Sequence, residues 1–380
     1  MNTRPRIVKA LLLVAGWLLA LDVFQMGVVR LVPSLGSEDK FAGGVFAPHE
    51  DPILHYKYRP GAVVFGQRIN SLGFRDKEFK VAKEPGTLRL VMVGDSVVAG
   101  ERGPVDHTFP RKLGAILTTL NDRPVEVINA GLSGTNTLQQ SVIVRDLALP
   151  LEPDIVLHMF TGNDTLRSDR ETVGSTSVDN SQLMREAWLK RLREREASGT
   201  GHLSIPGKEF LRRHSRLYGH VSTLWDKSLV KVGLRPGRNR TDEVEGYRKN
   251  LADLGDPTTD MHRYIVGSFR AMNEECRSRG VKFGVILLPE RVHYYDPAYP
   301  RPHATMVRDL EALGIPALNL LDPLEKVVRD ISSSLPLGLS EDEARHRASD
   351  RLFVDVVHFT PWGKEQAAPL VKKFVEDRFK

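Results

Sequence analysis

A serine, an aspartate and a histidine occur where they could together form a nucleophile and its base. Ser96 ends the tripeptide Gly94-Asp95-Ser96, and Asp355 precedes His358 by three residues near the carboxyl end of the chain. A serine hydroxyl is a weak nucleophile at neutral pH, so it needs an imidazole to take its proton and a carboxylate to fix the tautomer of that imidazole. These residue types predict acyl transfer through an acyl-serine, either to water or to an acceptor hydroxyl.

Two turns of small residues lie between the serine and the Asp–His pair. One is Asn129-Ala130-Gly131-Leu132-Ser133-Gly134, and the other is Gly162-Asn163-Asp164. Backbone N–H groups and an asparagine amide in such turns can stabilise the oxyanion of a tetrahedral intermediate, each by on the order of 3 kcal/mol. Taken singly, each motif also has a structural explanation, such as a tight turn or a helix cap. Their order along the chain indicates a site.

The motifs follow apolar segments that predict an α/β fold. Predicted strands cover Leu88–Val93, Val125–Asn129, Asp154–Phe160, Val281–Leu288 and Ile315–Leu320, and predicted helices cover Phe109–Leu120, Thr137–Leu147, Met261–Arg279, Ala304–Leu313 and Pro361–Arg378. Strands that are apolar almost throughout and are joined by helices indicate a parallel sheet covered on both faces. Ligands of such sheets bind at the carboxyl ends of the strands, where Ser96 and both turns are expected.

From Leu88 to Lys380, apart from an insertion, the motifs resemble those of the SGNH (GDSL-type) hydrolases. The resemblance implies a flavodoxin-like three-layer α/β/α sandwich with a five-stranded parallel sheet. It also assigns roles in this chain: nucleophile Ser96, general base His358, orienting carboxylate Asp355, and an oxyanion hole made by the N–H groups of Ser96 and Gly134 and the side chain of Asn163. Gly94, Asp95, Gly162 and Asp164 complete the motifs.

The first thirty residues predict a membrane anchor. Arg4, Arg6 and Lys9 precede an uncharged apolar run over Ala10–Leu21, and apolar character resumes after Asp22 as far as Val29. The whole segment has about the 20 residues that a spanning helix needs, whereas the shorter run alone would suit a signal peptide. We expect residues 1–31 to remain as an anchor in the cytoplasmic membrane, and the positive-inside rule then places the rest outside the cytoplasm, in the periplasm if the cell is Gram-negative. A buried N-terminal helix is the alternative.

The remaining chain divides into a lead-in over residues 32–86 and a hydrolase domain over 87–380 that contains an insertion over 165–260. Within the lead-in, Asn70-Ser71-Leu72-Gly73-Phe74-Arg75 resembles a segment of membrane-anchored bacterial SGNH proteins. The insertion is basic: residues 181–250 contain 16 Lys and Arg against 8 Asp and Glu, a net of +8 in a chain of net +6. It includes a charged helix over Gln182–Glu196 and a basic amphipathic helix around Phe210–Trp225. Packing on the sheet domain and contact with an anionic polysaccharide or lipid headgroups both remain open for it.

Composition excludes several other classes. With 41% hydrophobic and 27% charged residues, the 380-residue chain is too apolar to be disordered and too charged to be a polytopic membrane protein. Its one cysteine, Cys276, excludes a multi-cysteine metal site, and no P-loop, HExxH or GxGxxG motif is present, so we expect neither metal nor cofactor. Nucleic acid is not an expected partner.

The sequence therefore predicts an extracytoplasmic serine esterase that acts on acyl groups, most plausibly acetyl, of an envelope or exported carbohydrate. Three alternatives stay open: an O-acetyltransferase on exopolysaccharide that uses the same site, a lysophospholipase or thioesterase, and a non-catalytic glycan-binding scaffold. Two histidines after the fourth strand, His293 and His303, either line a substrate pocket or belong to a surface loop, whereas His158 lies within an apolar strand and is expected in the core.

Overall fold

The computed structural model describes residues 45–51, 53–54, 56–64, 66–100, 103–165, 240–335 and 338–380. Phe46–Leu192 and Val244–Lys380 belong to one compact unit, so the described part of the predicted lead-in shares a unit with the sheet. The predicted anchor and both predicted helices of the insertion, over Gln182–Glu196 and around Phe210–Trp225, lie outside the described residues. Within the described ranges, no helix is both long and apolar enough to cross a membrane.

An α/β sheet forms the centre of this unit, as predicted. Its five parallel strands follow one another in space as 2-1-3-4-5, which is the flavodoxin-like order. The strands of the chain are β1 (Phe46–Pro48), β2 (Tyr56–Tyr58), β3 (Val63–Val64), β4 (Gln67–Arg68), β5 (Leu88–Gly94), β6 (Thr119–Leu120), β7 (Arg123–Gly131), β8 (Ile155–Phe160), β9 (Lys282–Leu287) and β10 (Ala317–Asn319). The central sheet runs β10-β9-β8-β5-β7-β6, while β1–β2 and β3–β4 form separate antiparallel pairs.

The prediction of a purely parallel, five-stranded sheet was wrong at one edge. Strand β6 adds a sixth, antiparallel strand, pairing Thr119 with Pro124 and Leu120 with Arg123. The two residues between the strands, Asn121 and Asp122, have positive φ angles of 51° and 59°, as a type I′ hairpin turn requires. The hairpin uses residues 119–120 that the sequence assigned to the preceding helix.

The five helices predicted outside the insertion lie close to their predicted positions, and the described residues form four more. In chain order the helices are α1 (Ser96–Ala99), α2 (Phe109–Ile116), α3 (Thr137–Ile143), α4 (Arg240–Leu254), α5 (Asp260–Ser278), α6 (His303–Ala312), α7 (Leu321–Ser333), α8 (Glu341–Leu352) and α9 (Pro361–Arg378). Helices α2, α9, α8 and α7 pack in one group and α3, α5 and α6 in another, which gives two helical layers. The sequence analysis left residues 321–352, which form α7 and α8, unassigned.

Local capping residues fix the ends of the helices that flank the site. The Asn136 and Gln139 side chains form a reciprocal capping box at the start of α3. At the start of α9, the Thr360 hydroxyl accepts the N–H of Gly363 at 2.9 Å, and Pro361 occupies the first turn. These caps set where α3 and α9 leave the loops that carry Gly134 and His358.

Two glycines let α1 lie directly against the sheet. A Cβ atom on Gly131 would come within 2.3 Å of the backbone N of Ala99, and one on Gly94 would come within 2.8 Å of the Met159 carbonyl oxygen. Both obstacles are backbone atoms, which cannot rotate away. The short helix that begins with Ser96 can therefore approach β7 only because Gly131 lacks a side chain. A Cβ atom on Gly94 would in addition come within 2.5 Å of Val98 Cγ2 in α1.

Replacing Gly131 by alanine should destabilise the protein, because α1 and β7 would have to separate. We expect Gly131→Ala to lower the free energy of unfolding by about 1–3 kcal/mol in chemical denaturation. Gly267→Ala is the matched control: Gly267 lies inside α5 with no atom within 4 Å of the added methyl group. That variant should gain about 0.5–1 kcal/mol. Equal stability of the two variants would contradict this account of Gly131.

Candidate active site

Ser96 lies at the carboxyl end of the first parallel strand, as the sequence predicts. It follows β5 directly and is the first residue of α1, with 9% of its surface exposed. The preceding residue, Asp95, caps this helix by accepting the N–H of Val97 at 2.9 Å. At the other end of α1, Gly100 adopts a left-handed conformation with φ of 76°. This compact turn presents the serine hydroxyl at the edge of the sheet, beside the topological switch point between the first and third strands.

The structure brings together the serine, histidine and aspartate that the sequence singles out. Ser96 Oγ lies 2.8 Å from His358 Nε2, and His358 Nδ1 lies 3.0 Å from each carboxylate oxygen of Asp355. In this arrangement the Asp355 carboxylate accepts the Nδ1 proton, so the unprotonated Nε2 can accept the proton of the Ser96 hydroxyl.

Asp355 is held as a carboxylate. Partial burial opposes its ionisation, but the His358 ring and the backbone N–H groups of His358 and Val357 donate hydrogen bonds that outweigh burial and keep its pKa below the ordinary value. The three-residue spacing makes this possible, since one turn of chain supplies both the backbone and the ring donors. A permanent negative charge beside Nδ1 stabilises the imidazolium that forms when Ser96 gives up its proton.

Asn163 reaches the serine through Asp95. Its Nδ2 donates to Asp95 Oδ2 at 2.7 Å, and its Oδ1 accepts the hydroxyl hydrogen of Thr161. A primary amide nitrogen carries two hydrogens, so one N–H remains to donate to an oxyanion formed next to Ser96. The two contacts fix the orientation of the amide in advance of any substrate.

Asp164, the last residue of the same turn, holds the turn in place through hydrogen bonds. Its Oδ2 accepts the Thr161 N–H at 2.9 Å and its Oδ1 accepts Gln140 Nε2 at 2.7 Å, while Gln140 Oε1 lies 2.7 Å from His158 Nε2. Burial, and then the neighbouring Asp95, raises the pKa of Asp164 well above its ordinary value. Burial also lowers the pKa of His158 to about 3, so this histidine is a neutral core residue, as the sequence predicts.

The turn that contains Gly134 is attached to the lead-in segment. Gly134 has a φ of 78°, which favours glycine. The Tyr56 hydroxyl donates to the Ser133 carbonyl oxygen at 2.8 Å, and the Tyr58 hydroxyl lies 2.6 Å from Ser133 Oγ. These tyrosines of β2 were not recognised from the sequence, because their partner lies 75 to 77 residues away. They fix the position of the predicted oxyanion turn.

The lead-in also holds α1 and β7. The fully buried Arg75 donates to the carbonyl oxygens of Ala99, at 2.7 Å, and Gly103. Asp76 accepts the N–H of Asn129 at 2.9 Å and pairs with Arg111. The predicted lead-in therefore fixes the end of α1, the helix that begins with Ser96.

The two histidines after the fourth strand are buried and line a small cavity beside Gly162 and Glu290. His293 and His303 are 1% and 5% exposed, their rings are in edge contact at 4.9 Å, and both face backbone carbonyl oxygens. Burial lowers their pKa values to about 3 and about 4. The interpretation as a surface loop was wrong, because the loop after β9 folds inward at Glu290, a residue that was not recognised from the sequence. A substrate pocket at these histidines stays a prediction.

No family model and no curated protein matches the chain. Solved structures similar to it include an acetylxylan esterase from Geobacillus stearothermophilus, at 12% identity and a TM-score of 0.39 over 77% of this chain and 96% of that one. Another acetylxylan esterase has 12% identity and a TM-score of 0.39, over 76% and 100%. A GDSL-like lipase from Bacteroides thetaiotaomicron has 15% identity and a TM-score of 0.32, over 76% and 88%. These similarities are too low to establish a family, an activity or a substrate.

The geometry predicts that Ser96 reacts with a fluorophosphonate, which modifies activated serines. We expect one covalent adduct at Ser96 by mass spectrometry, no adduct in Ser96→Ala, and labelling of Asp355→Asn slowed on the order of 10³-fold or more because the imidazole loses its oriented tautomer.

The matched control is Ser141→Ala. Ser141 is a partly buried serine whose hydroxyl donates to the Leu138 carbonyl oxygen at 2.7 Å, with no imidazole as its partner. This variant should be labelled at the wild-type rate. Equal labelling of Ser96→Ala and wild-type protein would show that Ser96 is not the activated serine.

Proposed function

We propose that this protein is a serine esterase of the SGNH type that acts through an acyl-serine. The observation that carries the proposal is the continuous chain of hydrogen bonds from Ser96 to His358 to Asp355, with distances of 2.8 Å and 3.0 Å. A histidine that only stabilises the fold has no need to lie between a serine hydroxyl and a charged carboxylate. Together these partners make the hydroxyl of Ser96 a nucleophile.

In the first step, Ser96 Oγ attacks the carbonyl carbon of an ester while His358 Nε2 takes the hydroxyl proton. The carbonyl oxygen becomes an oxyanion, which the N–H groups of Ser96 and Gly134 and the free N–H of Asn163 stabilise. His358 then gives its proton to the leaving alkoxide as the tetrahedral intermediate collapses to acyl-Ser96. Water then attacks the carbonyl carbon of acyl-Ser96 in the same way and releases the carboxylic acid. His358 again acts first as base and then as acid.

The proposed substrate is a small acyl group, acetyl, on a carbohydrate of the cell envelope or an exported polymer. Support comes from the sequence: an apolar segment over Ala10–Val29 that suits an anchor, and an excess of basic residues in the insertion that suits an anionic glycan. With a sugar hydroxyl in place of water, the same acyl-serine makes an O-acetyltransferase.

A longer acyl chain is the second candidate, and one observation favours it. Val354 and Val356, on either side of Asp355, are 52% and 46% exposed. Apolar side chains beside a catalytic carboxylate can contact the hydrocarbon of a lysophospholipid or thioester. Acyl-chain selectivity separates this candidate from an acetyl esterase.

The direct test is ester hydrolysis by the full-length protein in detergent. We expect p-nitrophenyl acetate to be hydrolysed faster than the octanoate ester, Ser96→Ala to fall to the uncatalysed rate, and Asn163→Ala to lose about 10²–10³-fold in kcat through its oxyanion contact. Preference for the octanoate ester would support the lipid enzyme instead.

Two further outcomes distinguish the remaining alternatives. Faster release of p-nitrophenol with an oligosaccharide acceptor, together with an acetylated product, would indicate a transferase. Glycan binding that survives in Ser96→Ala, with no Ser96-dependent turnover or labelling in wild-type protein, would indicate a binding scaffold and would contradict the esterase.

The proposed location can be tested separately. Because positive residues precede the apolar segment, we expect the hydrolase domain outside the cytoplasm. Protease added to intact spheroplasts should digest this domain, whereas a cytoplasmic marker protein stays intact. Protection of the domain until the membrane is dissolved would place it in the cytoplasm.

A further inference from the structure

Glu290 is a buried carboxylate close to the Gly162-Asn163-Asp164 turn. It follows β9, is 1% exposed, and is not one of the residues that the sequence singled out. Its Oε2 accepts the Tyr299 hydroxyl at 2.7 Å, and its Oε1 accepts the Tyr247 hydroxyl from α4. A carboxylate removed from water is costly unless donors replace the water, and here two phenols do so.

Glu290 also packs directly against the backbone of Gly162. The approach is so close that a Cβ atom on Gly162 would lie 2.2 Å from Glu290 Oε1. Gly162 is followed by Asn163, whose amide contacts Asp95 beside the nucleophile. Glu290 therefore reaches the serine through one turn of backbone and one asparagine.

The residue after Glu290 contacts the other half of the site. The N–H of Arg291 donates to the carbonyl oxygen of Val356 at 2.8 Å, within the loop that carries Asp355 and His358. The dipeptide Glu290-Arg291 thus contacts both the turn that supplies the oxyanion donor and the loop that supplies the base. A change at Glu290 can alter the distance between them.

Taking the proposed esterase function as given, we propose that Glu290 is a positioning residue for acyl transfer. Its carboxylate holds Gly162 and so places the Asn163 amide at the oxyanion, and loss of the negative charge releases this turn. Tyr247 belongs to α4, the helix near the end of the insertion, so the same carboxylate connects that helix to the active site.

The surroundings of Glu290 make it sensitive to pH near neutrality. Burial raises the pKa of Glu290 to about 7, against the opposing hydrogen bonds of Tyr247 and Tyr299. The other titratable and charged groups around it are Asp164, which acts on Tyr247, Arg248, whose guanidinium lies 5.3 Å from the centre of the Tyr299 ring, and the neutral His293 and His303. No cation is among the described groups that shift the Glu290 pKa.

The direction of the effect follows from hydrogen-bond chemistry. Above pH 7 the charged carboxylate accepts both phenol hydroxyls. Below pH 7 the bound proton turns one oxygen into a donor, so the hydrogen bonds that hold Glu290 against Gly162 change and acyl transfer slows.

The test compares wild-type protein with Glu290→Gln, which keeps the shape but has no ionisation. We expect kcat for the acetate ester to fall roughly tenfold to hundredfold with KM nearly unchanged, because the oxyanion contact acts in the transition state. The acid limb of log kcat/KM against pH should be steeper near pH 7 in wild-type protein than in Glu290→Gln.

Glu325→Gln is the matched control. Glu325 lies in α7, has a side chain that is 19% exposed, and pairs with Arg345 away from the oxyanion turn. Loss of this ion pair should lower the free energy of unfolding and leave kcat and the slope of the acid limb at wild-type values. Active wild-type protein with the same kcat and the same acid limb in Glu290→Gln would overturn the positioning role and leave the esterase standing.

A measurement without substrate separates this proposal from the esterase itself. The amide proton of Gly162, followed by NMR from pH 5 to 9 in wild-type protein, should shift with a midpoint near pH 7, and Glu290→Gln should abolish the shift. If no ester is turned over, the esterase fails while this titration still reports the link between Glu290 and the turn. A Gly162 amide that does not move with pH overturns the link.

Discussion

The hydrogen bond between Ser96 and His358 constrains the rest of the fold. It joins atoms 262 residues apart in the chain at 2.8 Å, so the end of β5 and the loop before α9 must both be held firmly. On the histidine side, the Val354 N–H donates to the His358 carbonyl oxygen at 2.8 Å and Phe353 pairs with Phe359. Phe359 packs edge-on against Phe109 of α2, with ring centres 5.3 Å apart. The apolar core therefore anchors the base.

On the serine side, polar groups that are almost fully buried hold the turns in place. Asp95, Asp164 and Glu290 are each at most 1% exposed, and each accepts hydrogen bonds from neighbouring side chains. Burial of a polar group is costly unless its partners are in place, and a filled set of partners fixes one arrangement. The site is thus rigid on the oxyanion side, and its stiffness depends on carboxylates that have no part in the bond-making steps.

The sequence predicted the elements whose signal is local. The apolar strands, the Asp260–Ser278 helix and the Pro361–Arg378 helix have strong periodicity or clear caps, and their bounds lie within two residues of expectation. Helix α8 was not predicted because it is rich in charged residues and buries only Ala348, Ser349 and Leu352, which gives no clear apolar pattern. The antiparallel edge strand was not predicted, because its two residues, Thr119 and Leu120, also fitted the end of the preceding helix. Asn121 and Asp122 form the turn of its hairpin.

The sequence by itself determined which chemistry was possible: Ser96, Asp355, His358 and Asn163 have the required residue types, and each follows a predicted strand or precedes the last helix. Tertiary structure alone decided what supports them. Tyr56 and Tyr58 reach Ser133 from 75 to 77 residues away, and Glu290 reaches Gly162 across the sheet edge. A tyrosine or a glutamate after a strand has no distinctive local pattern, because its role comes from donors and acceptors that meet it only when the chain has folded.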